Sequence, residues 1–177
     1  MRALARRIGE GAARRAAPLR LALGTAAAIT AAGTAHAAAA DAAGVQLTNQ
    51  EQSFVQAVNA TRARYSLPAL RVATTLTRAA RAHSVDMIRR RYFAHGDFRN
   101  RLWRFGVRTG RVGEDLGWSI DDEAAIQRVV AMWLASPKHR YVLLLPGFRR
   151  IGVGVAEGPF KDQPDTVVVT ADFQGGG

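Results

Sequence analysis

The last quarter of the chain limits the fold most strongly. Ile151 to Val155 and Thr166 to Phe173 are rich in β-branched residues and are separated by the turn-forming stretch Gly158 to Asp165. This arrangement predicts an antiparallel hairpin. Val112 to Trp118 supplies a third strand. Before and between these strands the apolar residues recur at helical spacing, which implies an α+β domain with helices packed over a small antiparallel sheet.

Thr48-Asn49-Gln50-Glu51 has the form of a capping box, a hydroxyl for an orphan amide and a carboxylate three residues on. The helix it opens carries Phe54, Val58, Thr61 and Tyr65 as its stripe and stops at Leu67-Pro68. A second helix is predicted from Thr75 to Arg90, with Leu76, Ala80 and Met87 inward and His83 on the same face as a core histidine with one hydrogen-bond partner. A third fits Asp121 to Ala135, its stripe Ile126, Val130 and Trp133, with Asp121, Asp122 and Glu123 at its positive end. Ser136-Pro137 then predicts a short helix reaching Leu145, the serine hydroxyl its cap and the proline in its first turn, ended by Pro146-Gly147.

Residues 1–37 stand apart. Six arginines and one glutamate precede the apolar run Leu21 to Ala35, and Ala35-His36-Ala37 places small residues where a signal peptidase inspects them. Cleavage after Ala37 and a secreted, periplasmic or envelope location are expected. An uncleaved anchor, which would be the protein's membrane contact, and twin-arginine export through Arg6-Arg7 or Arg14-Arg15 are the alternatives. Residues 38–47 read as a flexible lead-in, and residues 48–174 as one domain of a size that holds its own core. Without the leader the net charge falls from +11 to +6, 19 basic against 13 acidic residues. Many of the arginines lie between Arg78 and Arg111, a stretch suited to an anionic lipid or an acidic envelope polymer. No helix-turn-helix, finger or aromatic-rich motif accompanies it, which argues against nucleic acid. The chain has no cysteine, which excludes disulfides, thiolate metal sites and a cysteine nucleophile.

Three residues invite chemistry. Strand alternation puts Glu114 on a face with Val112, Leu116 and Trp118, and a carboxylate in apolar company needs an arginine, backbone amides, histidines or a metal ion as partner. His139 is the third residue of the short helix, whose positive end favours a neutral imidazole. His95 follows the second helix in Tyr92-Phe-Ala-His-Gly-Asp97, in a loop. Two histidines and a glutamate match a catalytic zinc ligand set in kind, although their separation lacks the spacing of a compact motif.

The sequences at 58–70 (VNATRARYSLPAL), 80–87 (ARAHSVDM), 92–95 (YFAH), 113–116 (GEDL), 133–140 (WLASPKHR) and 148–155 (FRRIGVGV) come in the order and spacing of bacterial CAP proteins, the superfamily of cysteine-rich secretory proteins, antigen 5 and plant pathogenesis-related proteins. Residues 48–173 resemble that family. The resemblance implies a three-layer α-β-α sandwich with a central cleft of two histidines and two acids, which in some members bind a divalent ion such as zinc. His95, Glu114 and His139 look like three of the four. Ser136 stands where the second acid is expected, and Asp115 replaces the usual asparagine, so the resemblance implies at most three protein ligands and a water for such an ion.

Three functions follow as expectations: an exported module that binds an envelope polymer, a lipid or a protein, as some relatives bind sterols and lipids; a metal-dependent hydrolase or protease using His95, Glu114 and His139, with Glu114 or Asp115 assisting; or a structural exported protein. A serine mechanism through Ser136 and His139 competes with the capping role of Ser136.

Overall fold

The computed structural model describes residues 44–176. The predicted signal peptide and most of the lead-in lie outside the described residues. The elements in chain order are α1 Asn49–Arg64, β1 Arg71–Val72, α2 Thr74–Arg90, α3 Phe98–Arg104, β2 Val112–Ile120, α4 Ala125–Ala135, α5 Pro137–Leu143, β3 Phe148–Phe160 and β4 Gln163–Gly175. They form three layers around a four-stranded sheet of order β1-β3-β4-β2.

The capping box forms as predicted, the Thr48 hydroxyl accepting from the Glu51 amide and the Glu51 carboxylate from the Thr48 amide. Glu51 also takes Arg81 of α2 in a bidentate pair at 2.7 and 2.5 Å. Phe54, Val58 and Thr61 are buried, but Tyr65 is exposed and Arg62 is buried in its place. The reason is local: the Arg62 guanidinium donates to the carbonyls of Pro68, Leu143 and Leu145. Two of these acceptors lie at the C-terminal end of α5, the negative end of a helix, which offsets a buried cation.

The hairpin is tighter than its sequence suggests. β3 and β4 run to Phe160 and Gln163, so only Lys161 and Asp162 turn the chain, both at positive φ, as a two-residue turn twisted with its strands requires. β2 pairs antiparallel with β4 from Val112↔Gln174 to Ile120↔Thr166. Two short elements were not expected. β1 pairs parallel with β3, which makes the sheet mixed rather than purely antiparallel, and α3 is only seven residues long. Asp121 to Glu123 do not open α4 but form a turn ahead of Ala125, where Asp122 accepts from Arg128 instead.

Alternation divides the sheet's side chains between two faces. Ile151, Val153, Val169, Ala171 and Phe173 meet Phe54, Val58, Val129, Trp133 and Leu143 of α1, α4 and α5 in the main core. On the other face, Gly152 and Gly154 let α2 lie directly on the sheet, since a Cβ at either would stand 2.1 Å from the helix backbone. The Ser84 hydroxyl crosses that contact to the Gly154 carbonyl and to Thr170, each at 2.9 Å.

Candidate functional site

Glu114 and Asp115 are consecutive residues of β2, so they point to opposite faces. Gly113 and Gly117, on either side of Asp115, lie against Val142, Phe148, Val129 and Trp133. Asp115 therefore faces the α4–α5 core. Its side chain is fully buried and neither oxygen has a hydrogen-bond partner among the described residues. Desolvation, with the Glu114 charge adding, pushes its pKa up to about 8. It is a neutral acid near pH 7 and does not assist chemistry on the Glu114 face.

Glu114 lies on the α2 side, and both of its carboxylate oxygens are engaged. One accepts from His95 Nδ1 at 2.8 Å, the other from the Arg101 guanidinium. Of the partners that burial required, the fold supplies a histidine and an arginine together. Because a carboxylate only accepts, His95 Nδ1 carries a proton and donates it to Glu114, which turns Nε2 away from the anchor. The His95 side chain is 47% exposed while that of Glu114 is 0%, so the imidazole projects from a buried anchor.

Neighbouring groups hold this arrangement. His83 is the core histidine expected, its Nε2 against the Ala94 carbonyl at 3.0 Å. Burial, and then the Arg101 charge, lower its pKa and keep it neutral, so Nε2 carries the donated proton. Arg101 also donates to the His95 carbonyl at 3.2 Å. The backbone around His95 is thus fixed from α2 and from α3.

His139 is the third residue of α5 and is half-buried. Desolvation and then the nearby His95 lower its pKa, which favours the neutral imidazole and puts both histidines in one electrostatic neighbourhood. Ser136 holds the N-cap position of α5, with Pro137 following, but its hydroxyl makes no capping bond. No hydrogen bond joins Ser136 to His139 among the described residues, and the serine dyad is not formed.

Two contributors escaped the sequence reading. Arg101 sits on α3, whose signal was the Asp97 cap accepting from the Asn100 amide. Asp172 lies directly opposite Glu114 across the β2/β4 ladder. It is fully buried, and desolvation followed by the Glu114 charge holds its pKa well above the usual carboxylate range. The alternation Thr170, Asp172 against Val169, Ala171, Phe173 would have placed it on the Glu114 face.

Among the described residues no group of three or more His, Asp or Glu side chains is disposed to hold a metal ion. The donor chemistry gives the reason. A divalent ion at Glu114 would have to displace the Arg101 guanidinium, and Ser136 contributes no acid. The residues as arranged do not fit a three-ligand zinc site that includes Glu114.

The sequence profile of the cysteine-rich secretory protein family (CAP) matches residues 55–173. The Bacillus subtilis protein YkwD is 33% identical over 112 residues, 60% of this chain and 42% of that one. A Bacillus anthracis extracellular protein with an SCP domain superposes with a TM-score of 0.59 at 26% identity, covering 75% of this chain and 45% of that one. An outer surface protein of Borrelia burgdorferi has the same fold, at a TM-score of 0.59 and 21% identity over 74% of this chain and 98% of its own. Against YkwD and a second B. subtilis relative, the membrane protein YlbC, the match spans 42% and 32% of the relative's length.

Proposed function

The chain belongs to the cysteine-rich secretory protein family, and on that footing we propose that it acts after export as a binding domain of the cell envelope rather than as a metal-dependent hydrolase. The observation that carries this reading is the saturation of Glu114 by His95 and Arg101. It leaves the Glu114 carboxylate without a free oxygen to complete a metal site or to serve as a base. The extracellular SCP protein of B. anthracis supports the location, and the basic surplus supports an anionic surface as the target.

Hydrolysis is the second reading, favoured by one detail. A histidine whose Nδ1 donates to a carboxylate is oriented as metal-ligating histidines are, so His95 Nε2 and His139 would hold a zinc ion with Glu114 behind them. Two imidazoles alone make a weak site. Calorimetric titration of the protein with zinc separates the readings. Absence of stoichiometric binding is expected. Stoichiometric binding lost in the double variant His95→Ala, His139→Ala would overturn the binding-domain proposal.

A further inference from the structure

Two cavities adjoin at the end of the sheet where β1 begins. The larger, about 300 Å³, is lined by Arg71, Arg149, Arg150, Thr109 and Gln174 with the glycines that follow. The smaller, about 150 Å³, is lined by Arg99, Arg108, Trp103 and again Thr109. Thr109 belongs to both, so the cavities form one band. Five arginines line it and no acidic residue does.

The band gathers five positive charges with no acidic partner among the described residues. Arg71 and Arg150 are direct partners in the parallel β1/β3 ladder, which brings two of these charges to one edge of the sheet. The ion pairs among the described residues use Arg81, Arg90, His95, Arg101 and Arg128, so none neutralises the band. All five arginines are exposed. Arg149 is held by donating Nη1 to the Pro146 and Phe148 carbonyls, and Arg108 lies 4.2 Å from the centre of the Trp103 ring, a stacking that orders a guanidinium while leaving its edge free to donate. The Gln174 amide donates to the Thr109 carbonyl at 2.8 Å and fixes the wall between the two halves.

We propose that this band binds a phosphodiester-linked polyanion of the cell envelope, one chain of which lies across both cavities with successive phosphates on the Arg71/Arg149/Arg150 and Arg99/Arg108 groups. Guanidinium forks match phosphate oxygens in pairs. The inference extends the envelope-binding reading by naming the ligand and its site, away from His95 and Glu114.

The test titrates the purified protein with poly(glycerol phosphate) over a range of salt concentrations. Wild type should show a linear fall of log affinity with log salt. In the variant R71Q/R149Q/R150Q the slope should drop by about 2, from about 0.7 per lost contact on a flexible single chain, and affinity at low salt should fall at least tenfold. R78Q/R89Q, which removes two exposed arginines of α2 outside the band, should stay within twofold of wild type. An equal loss per charge in R78Q/R89Q would reduce the effect to net charge and overturn the proposal, as would binding of a single-stranded oligonucleotide as tight as that of the polyol phosphate. Sedimentation with isolated envelopes separates the two readings. If wild type and R71Q/R149Q/R150Q sediment equally, the band fails and envelope binding stands; if neither sediments, envelope binding fails.

Discussion

Replacing Asp115 with asparagine should remove a pH dependence from the stability of the fold. Burial raises the Asp115 pKa to about 8, against about 3.9 in an unfolded chain. Over that window the folded state keeps a proton that the unfolded state has released. Stability therefore falls as pH rises, by about 1.4 kcal/mol per unit. Between pH 5 and pH 7 the loss from this one group is about 2.7 kcal/mol. Asparagine has the same shape and does not titrate. The quantity to measure is the difference in unfolding free energy between Asp115→Asn and wild type, from urea titrations at the two pH values. Groups common to both proteins, Asp172 among them, largely cancel from that difference. It should grow in favour of asparagine by about 2.7 kcal/mol from pH 5 to pH 7. A difference constant to within about 0.5 kcal/mol would mean that the unfolded and folded carboxyls titrate alike, and the burial argument would be wrong.

Gly152→Ala should cost about 3 kcal/mol or more by pushing α2 off the sheet, whereas Gly147→Ala, with nothing within 4 Å of the new Cβ, should stay within about 0.5 kcal/mol; equal losses in urea unfolding would remove the packing explanation. Arg62→Met should lose about 3 kcal/mol, because three carbonyls lose a buried charged donor, and an unchanged melting temperature would contradict that role. Glu114→Gln should also cost about 3 kcal/mol by leaving the Arg101 charge without its partner. The ¹⁵N shifts of His95 should move with it, and a stable variant with unshifted His95 would show that the carboxylate does not anchor the ring.

Much of the fold was written in local chemistry. The capping box, the span of α2, the inward His83 and the two hairpin strands each rest on signals confined to neighbouring residues. Errors came where distant groups outweighed local ones. Tyr65 keeps the helical spacing of α1 but is exposed, because Arg62 reaches carbonyls 81 and 83 residues away. Asp122 suits a helix start, yet Arg128 draws it into a turn. β1 and α3 were missed because two and seven residues are too few to display a period.

For the site, the sequence by itself determined that Glu114 would be buried, since strand alternation assigns a face without reference to anything else. It also determined that the glutamate would need a partner, because an unpaired charge in apolar surroundings costs too much. Tertiary structure alone decided which partner. The choice depends on α3 bringing Arg101 under the loop that carries His95, and on β4 placing Asp172 across the ladder. Those contacts join segments 13, 19 and 58 positions from Glu114, and no local pattern encodes a distance closed only by packing.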